Sequence, residues 1–189
     1  MESLINKLRE MENADQGLIA LLSGLFVSRF FRKGAILCMP GQVLQALHFV
    51  DHGLVRGYFS RGREEHTSWI LETGFIALSS GIFSRSVSTE YVAFLKDTLV
   101  YSLDMALVKT LAEKETRLIH LIMEICEEKM QERIQTEELL RIGHAEDRYL
   151  AFREFYERLL DLPVHDITAS LMNIEPKYLY KIKKKHLHS

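Results

Sequence analysis

Leu47-His48-Phe49-Val50-Asp51-His52-Gly53-Leu54-Val55-Arg56 is the stretch on which the fold turns. An apolar run halts at Asp51-His52-Gly53 and resumes at once, which is the pattern of two short strands joined by a turn. Moving outward, the same texture repeats from Val27 to Leu103. Turn residues at Lys33-Gly34, Pro40-Gly41, Arg61-Gly62, Thr73-Gly74 and Lys96-Asp97 separate runs of β-branched and aromatic residues. Breaks about every ten residues mark an antiparallel sandwich or barrel. Seven of the ten glycines fall in this stretch, where turns with positive φ require them.

The flanks read as helix. Leu4, Ile5 and Leu8, then Leu18, Ile19, Leu21, Leu22 and Leu25, recur at helical spacing within 1–26. Asp104 is placed to cap a short helix over Met105–Ala112. A long helix is expected from Lys114 to Arg141, with two adjacent apolar stripes. One is Leu118, Leu121, Ile122 and Ile125; the other is Ile119, Met123, Cys126, Met130 and Ile134. Two stripes want two partners, one the β-domain and one a second copy of the helix, and periodicity alone does not assign them. We take Leu118, Leu121, Ile122 and Ile125 as the dimer seam. A further helix is expected over His144–Leu160, ended by Leu162-Pro163.

Composition narrows the function. The chain has 189 residues, 47% apolar and 26% charged, an ordinary globular balance that excludes a disordered chain or a disulfide scaffold. No apolar run approaches the roughly 18 residues of a membrane span. The N-terminal residues lack a secretory profile, and two cysteines 88 positions apart, Cys38 and Cys126, do not make a disulfide framework or a metal site. A reduced, cytoplasmic protein without a cofactor is expected. Net charge is −2, yet Glu175–Ser189 carries five lysines against one acid, so this tail is +4 on a body of −6. Attraction to a polyanion would therefore be local.

That tail belongs to two short helices expected over Val164–Met172 and Pro176–His186. Ala169 is small enough for a close crossing, Met172, Ile174, Leu179 and Ile182 can fill the interface, and Asn173 tolerates the left-handed turn conformation. This is the form of a helix-turn-helix, whose second helix enters the DNA major groove. Lys177, Tyr180, Lys181, Lys183, Lys184 and Lys185 are the candidate DNA contacts.

Lys33-Gly34-Ala35-Ile36-Leu37, Pro40-Gly41-Gln42 and Leu47 to Arg56 together resemble the opening of a cyclic-nucleotide-binding β-roll. Followed by a long helix and a C-terminal helix-turn-helix, the order resembles the CRP/FNR family of bacterial transcription regulators, over about residues 10–187. The resemblance implies an α+β fold: an N-terminal double-stranded β-helix or jelly roll, a long dimerisation helix and a C-terminal helix-turn-helix. The corresponding domains are 1–113, 114–141 and 142–189. It also implies a homodimer on double-stranded DNA, with no membrane partner and a small-molecule effector of unidentified class.

In that family a Gly-Glu pair holds the ribose and an Arg-Ser pair the cyclic phosphate. Aligned on Val92 and Leu95-Lys96-Asp97-Thr98, the Arg-Ser position here falls on Ser88-Thr89, and the Glu position falls on Ala77 or a near neighbour. Neither diagnostic charge is present. Loss of one charge-assisted hydrogen bond of roughly 1.5–3 kcal/mol weakens binding about tenfold to 150-fold. The resemblance therefore implies a remodelled effector pocket, with Gly74, Ser79, Ser80, Arg85, Ser88 and Thr89 as its candidate residues. The second reading is a ligand- or protein-binding module whose helix-turn-helix no longer binds DNA.

A metal-enzyme alternative rests on His48 and His52, four apart on a strand, with His66 as a third ligand. The turn at Asp51-His52-Gly53 argues against it. We find no nucleophile elbow, phosphate-binding glycine loop or His-Glu-x-x-His motif. No catalytic residue and no metal ligand are assigned.

Overall fold

A computed structural model of the chain describes residues 1–62, 64–76, 83, 84 and 86–186. The turn at Gly53 shows how local chemistry shapes it. Gly53 has φ +146°, and a Cβ there would lie 2.2 Å from Oγ1 of the fully buried Thr98. Only glycine fits. Thr98 Oγ1 in turn donates to the Lys96 carbonyl at 2.8 Å, which holds the facing turn against it.

Among the described residues, eight strands follow two N-terminal helices, α1 (Glu2–Arg9) and α2 (Gln16–Ser23): β1 (Val27–Phe31), β2 (Ile36–Cys38), β3 (Ala46–His52), β4 (Val55–Arg61), β5 (Glu64–Leu71), β6 (Gly74–Phe75), β7 (Tyr91–Phe94) and β8 (Thr98–Asp104). They form two four-stranded sheets, ordered β1-β8-β3-β6 and β2-β7-β4-β5. The helices after them are α3 (Met105–Ala112), α4 (Arg117–Leu140), α5 (Ala145–Leu160), α6 (His165–Leu171) and α7 (Pro176–His186). Asp104 accepts from the Ala106 N–H at 2.7 Å, the cap expected at the start of α3.

The chain forms two compact units: Met1–Gly57 with Leu71–Met130, and Tyr58–Ile70 with Gln131–Ser189. In the first, alternation along β3 and β8 sends Leu47, Phe49, Tyr101 and Leu103 to one face of the sheet. There they meet Leu4, Leu8, Leu18, Leu22, Met105 and Val108 in a single core. The opposite face looks toward the second sheet, as the stacked rings of Phe31 and Phe94 show, with centroids 4.3 Å apart.

Leu118, Leu121, Ile122 and Ile125 are buried in that same core, each at most 2% exposed. This corrects their assignment as the dimer seam. Burial against the chain's own sheet and helices leaves them no surface for a second copy. Of the other stripe, Met123, Met130 and Ile134 are between 49% and 58% exposed, whereas Ile119 is half-buried and Cys126 packs partly against the core.

The histidine pair is also resolved. β3 runs through to His52, but its register against β8 shifts between Val50 and His52. The bulge breaks the alternation. His48 is buried and His52 is exposed.

In the second unit, Tyr149, Phe152 and Leu160 of α5 are buried, as are Ala169, Leu171, Leu179 and Ile182 of α6 and α7. The helix α5 bends at Tyr156, whose φ of −131° is not helical.

Candidate nucleic-acid interface and effector region

The turn between α6 and α7 is built as its residues dictate. Asn173 has φ +50°, the left-handed conformation that asparagine accepts at low cost. The Ile174 N–H donates to the Ala169 carbonyl at 2.9 Å, and Ala169 is fully buried. Pro176 begins α7, where its missing N–H costs nothing. Arg148 of α5, itself only 9% exposed, donates to the Asn173 carbonyl at 2.9 Å and to the Ile142 carbonyl at 2.6 Å. Sequence reasoning missed this clamp, because Arg148 lies 25 residues from the carbonyl it holds.

The five candidate lysines divide by partner. Lys177, Lys181 and Lys184 lie on α7 at spacings of four and three, so they share one exposed face, with Tyr180 beside them at 70% exposure. Lys183 is turned inward and its Nζ donates to the Leu160 carbonyl. Burial pushes its ammonium below the ordinary lysine range, only partly offset by Asp161. Lys185 pairs with Glu146 at 2.6 Å, a carboxylate shared with His186 at 2.7 Å. Of the two, Lys183 is half-buried and Lys185 stays exposed. Each is held by an acceptor on another helix.

Of the candidate effector residues, Ser79, Ser80 and Arg85 lie outside the described residues. Gly74 sits in β6 with φ +125°. Ser88 is 1% exposed, and its hydroxyl donates to the Glu90 carbonyl at 2.8 Å while accepting from the Glu90 N–H at 3.1 Å. Its backbone is tied to Gly41 and Gln42. Thr89 points to solvent. Of the two neighbours, Ser88 is thus tied into its turn and Thr89 is exposed.

A cavity of about 540 Å³ opens in the second unit, lined by Phe59, Thr67, Ser68, Arg133, Ser170 and Asn173 among others. The buried hydroxyls of Thr67 and Ser68 have no hydrogen-bond partner among the described residues. Phe59 stacks on His66, with ring centroids 5.2 Å apart. Nothing local in the sequence signals this cavity, since its walls come from three distant segments.

Known structures share this arrangement. FixK2 from Bradyrhizobium japonicum superposes with a TM-score of 0.73 at 13% identity, over 85% of this chain and 83% of its own. The c-di-GMP-responsive global regulator CLP from Xanthomonas campestris gives 0.69 at 14%, over 90% and 91%. A protein from Eubacterium rectale assigned to the crp/fnr family of transcriptional regulators gives 0.66 at 14%, over 90% and 82%. The chain has the CRP/FNR fold. No protein-family profile and no curated protein sequence matches it. The fold is therefore shared with these structures at 13–14% sequence identity. No helix among the described residues is long and apolar enough to cross a membrane.

Proposed function

We propose that this protein is a homodimeric, DNA-binding transcription regulator of the CRP/FNR type, with α7 as its recognition helix. The observation that carries this reading is the exposed face of α7. Lys177, Tyr180, Lys181 and Lys184 line it, and Leu179 and Ile182 anchor the opposite side. Lysine offers a less directional contact than arginine, so the face favours phosphate anchoring over fixed base readout. Two or three phosphate contacts per subunit give a dimer a log–log salt slope of about −4 to −5. The second stripe of α4, Ile119, Met123, Cys126, Met130 and Ile134, is the dimer seam in this proposal. An effector would act by favouring one arrangement of the two subunits over the other.

The effector pocket is remodelled. With no arginine at the phosphate position and Ser88 spent on its own turn, cyclic AMP at low micromolar concentration should not bind. Saturable binding there would overturn this part. For the regulator itself, bound sequences are selected from a random duplex pool with the purified dimer, and again in cell extract. A palindromic winner preferred about 1,000-fold over scrambled DNA supports the reading. No enrichment under either condition overturns it in favour of a ligand- or protein-binding module.

A further inference from the structure

The inner face of the β1-β8-β3 sheet carries a group of polar side chains that neither DNA binding nor the nucleotide cassette uses. Register places Val27, Ser102 and His48 in one row across the three strands, with Arg29 one inward position along β1. His48 is 5% exposed and its Nδ1 shares a hydrogen bond with the Ser102 hydroxyl at 2.8 Å. Burial and, secondarily, the charge of Arg29 hold its pKa down to about 4, so the ring is neutral. Arg29 is exposed on the edge strand and has no ion-pair partner among the described residues. These groups border a cavity of about 490 Å³, whose remaining walls include Leu37, Leu44 and Leu107.

We propose that this cavity binds a small carboxylic acid, its carboxylate on Arg29 and its apolar body against Leu37, Leu44 and Leu107. The charges select the class. One cation lines the cavity, and the one carboxylate beside it, Asp104, is already engaged with the Ala106 N–H at the start of α3. A phosphate dianion would be under-neutralised and a cation would meet Arg29, whereas a monoanion matches the single guanidinium. The free edge of the neutral His48 ring adds one hydrogen bond of either sense. A volume of this size suits a short-chain or single-ring acid. The adjoining cavity of about 430 Å³ shares Val43, Leu44, Gln45 and Asp104 with the first, and gives room for a longer tail. The cavity's lining includes none of Gly74, Ser88 or Thr89, and the proposal stands whether or not α7 binds DNA.

The probe is sodium octanoate, titrated calorimetrically into the full-length protein, with the His48 ring resonances followed by NMR. One saturable site per chain, with displaced His48 signals, is the expected result. Arg29→Gln lies on an exposed edge strand and should fold, yet weaken octanoate about tenfold or more. Octanamide, which keeps the tail and lacks the charge, should lose a similar factor. Failure to saturate in the millimolar range overturns the proposal. So does equal affinity in Arg29→Gln, or saturation that leaves the His48 signals in place.

Discussion

The N–H of Thr67 donates to the Ser170 hydroxyl at 2.9 Å, and that hydroxyl donates onward to the Glu65 carbonyl at 3.2 Å. β5 is the edge of its sheet, so alternate residues of the strand present unpaired groups on one side. A single side chain of α6 satisfies two of them. Ser170→Ala should lower the unfolding free energy of the protein by about 1–2 kcal/mol, read from urea denaturation. A loss of only a few tenths would mean that water replaces the hydroxyl at both positions.

The two classes of lysine on α7 predict different DNA behaviour. Lys181→Ala should weaken binding across all sequences and shift the salt slope of the dimer by about 2 toward zero, one phosphate per subunit. Lys185→Ala should leave the slope unchanged, because Glu146 already neutralises that ammonium. Equal slopes in the two variants would place the recognition face elsewhere on the helix.

The two stripes of α4 separate assembly from folding. Met130→Glu places a charge on an exposed methionine and should convert the dimer to monomer in sedimentation, with the melting transition of the fold retained. Leu121→Ala, at 1% exposure, should instead cost about 2–5 kcal/mol of stability through the cavity it leaves. Dissociation caused by Leu121→Ala without loss of fold would return the seam to the first stripe.

His48 gives stability a defined pH dependence. Its pKa falls from 6.5 to about 4 on folding, through burial first and Arg29 second. Between those values the unfolded chain binds more protons than the folded one, so stability rises with pH. The contribution is complete above about pH 6.5 and is lost as the pH falls toward about 4. It totals on the order of 3 kcal/mol, of which about 2 kcal/mol is gone by pH 5. The facing groups on β8, β1 and the start of α3 are Ser102, Arg29 and Asp104. Denaturation at neutral pH and at pH 5 should show this loss in the wild type, and His48→Phe should lose about 2 kcal/mol less. Parallel curves for the two proteins would mean that His48 is protonated in the folded state.

The sequence by itself determined the kind and order of the elements. Glycines at turns, alternation in strands and three-and-four spacing in helices act over a few residues, so α3 and α7 begin and end where their residues place them. Gly53 was legible as a turn for the same reason. Tertiary structure alone decided which face of each element is spent. The two stripes of α4 are chemically alike, and only packing against Phe49, Tyr101 and Leu103 buries one of them. The five lysines of α7 are identical in sequence terms until Leu160 and Glu146, 23 and 39 residues away, claim two of them. Ser88 reads as a ligand group until its hydroxyl closes on Glu90, and the Ser170 bridge spans 105 residues to Glu65. Local patterning records what a residue prefers, whereas the availability of a side chain depends on partners that only the folded chain brings within hydrogen-bonding distance.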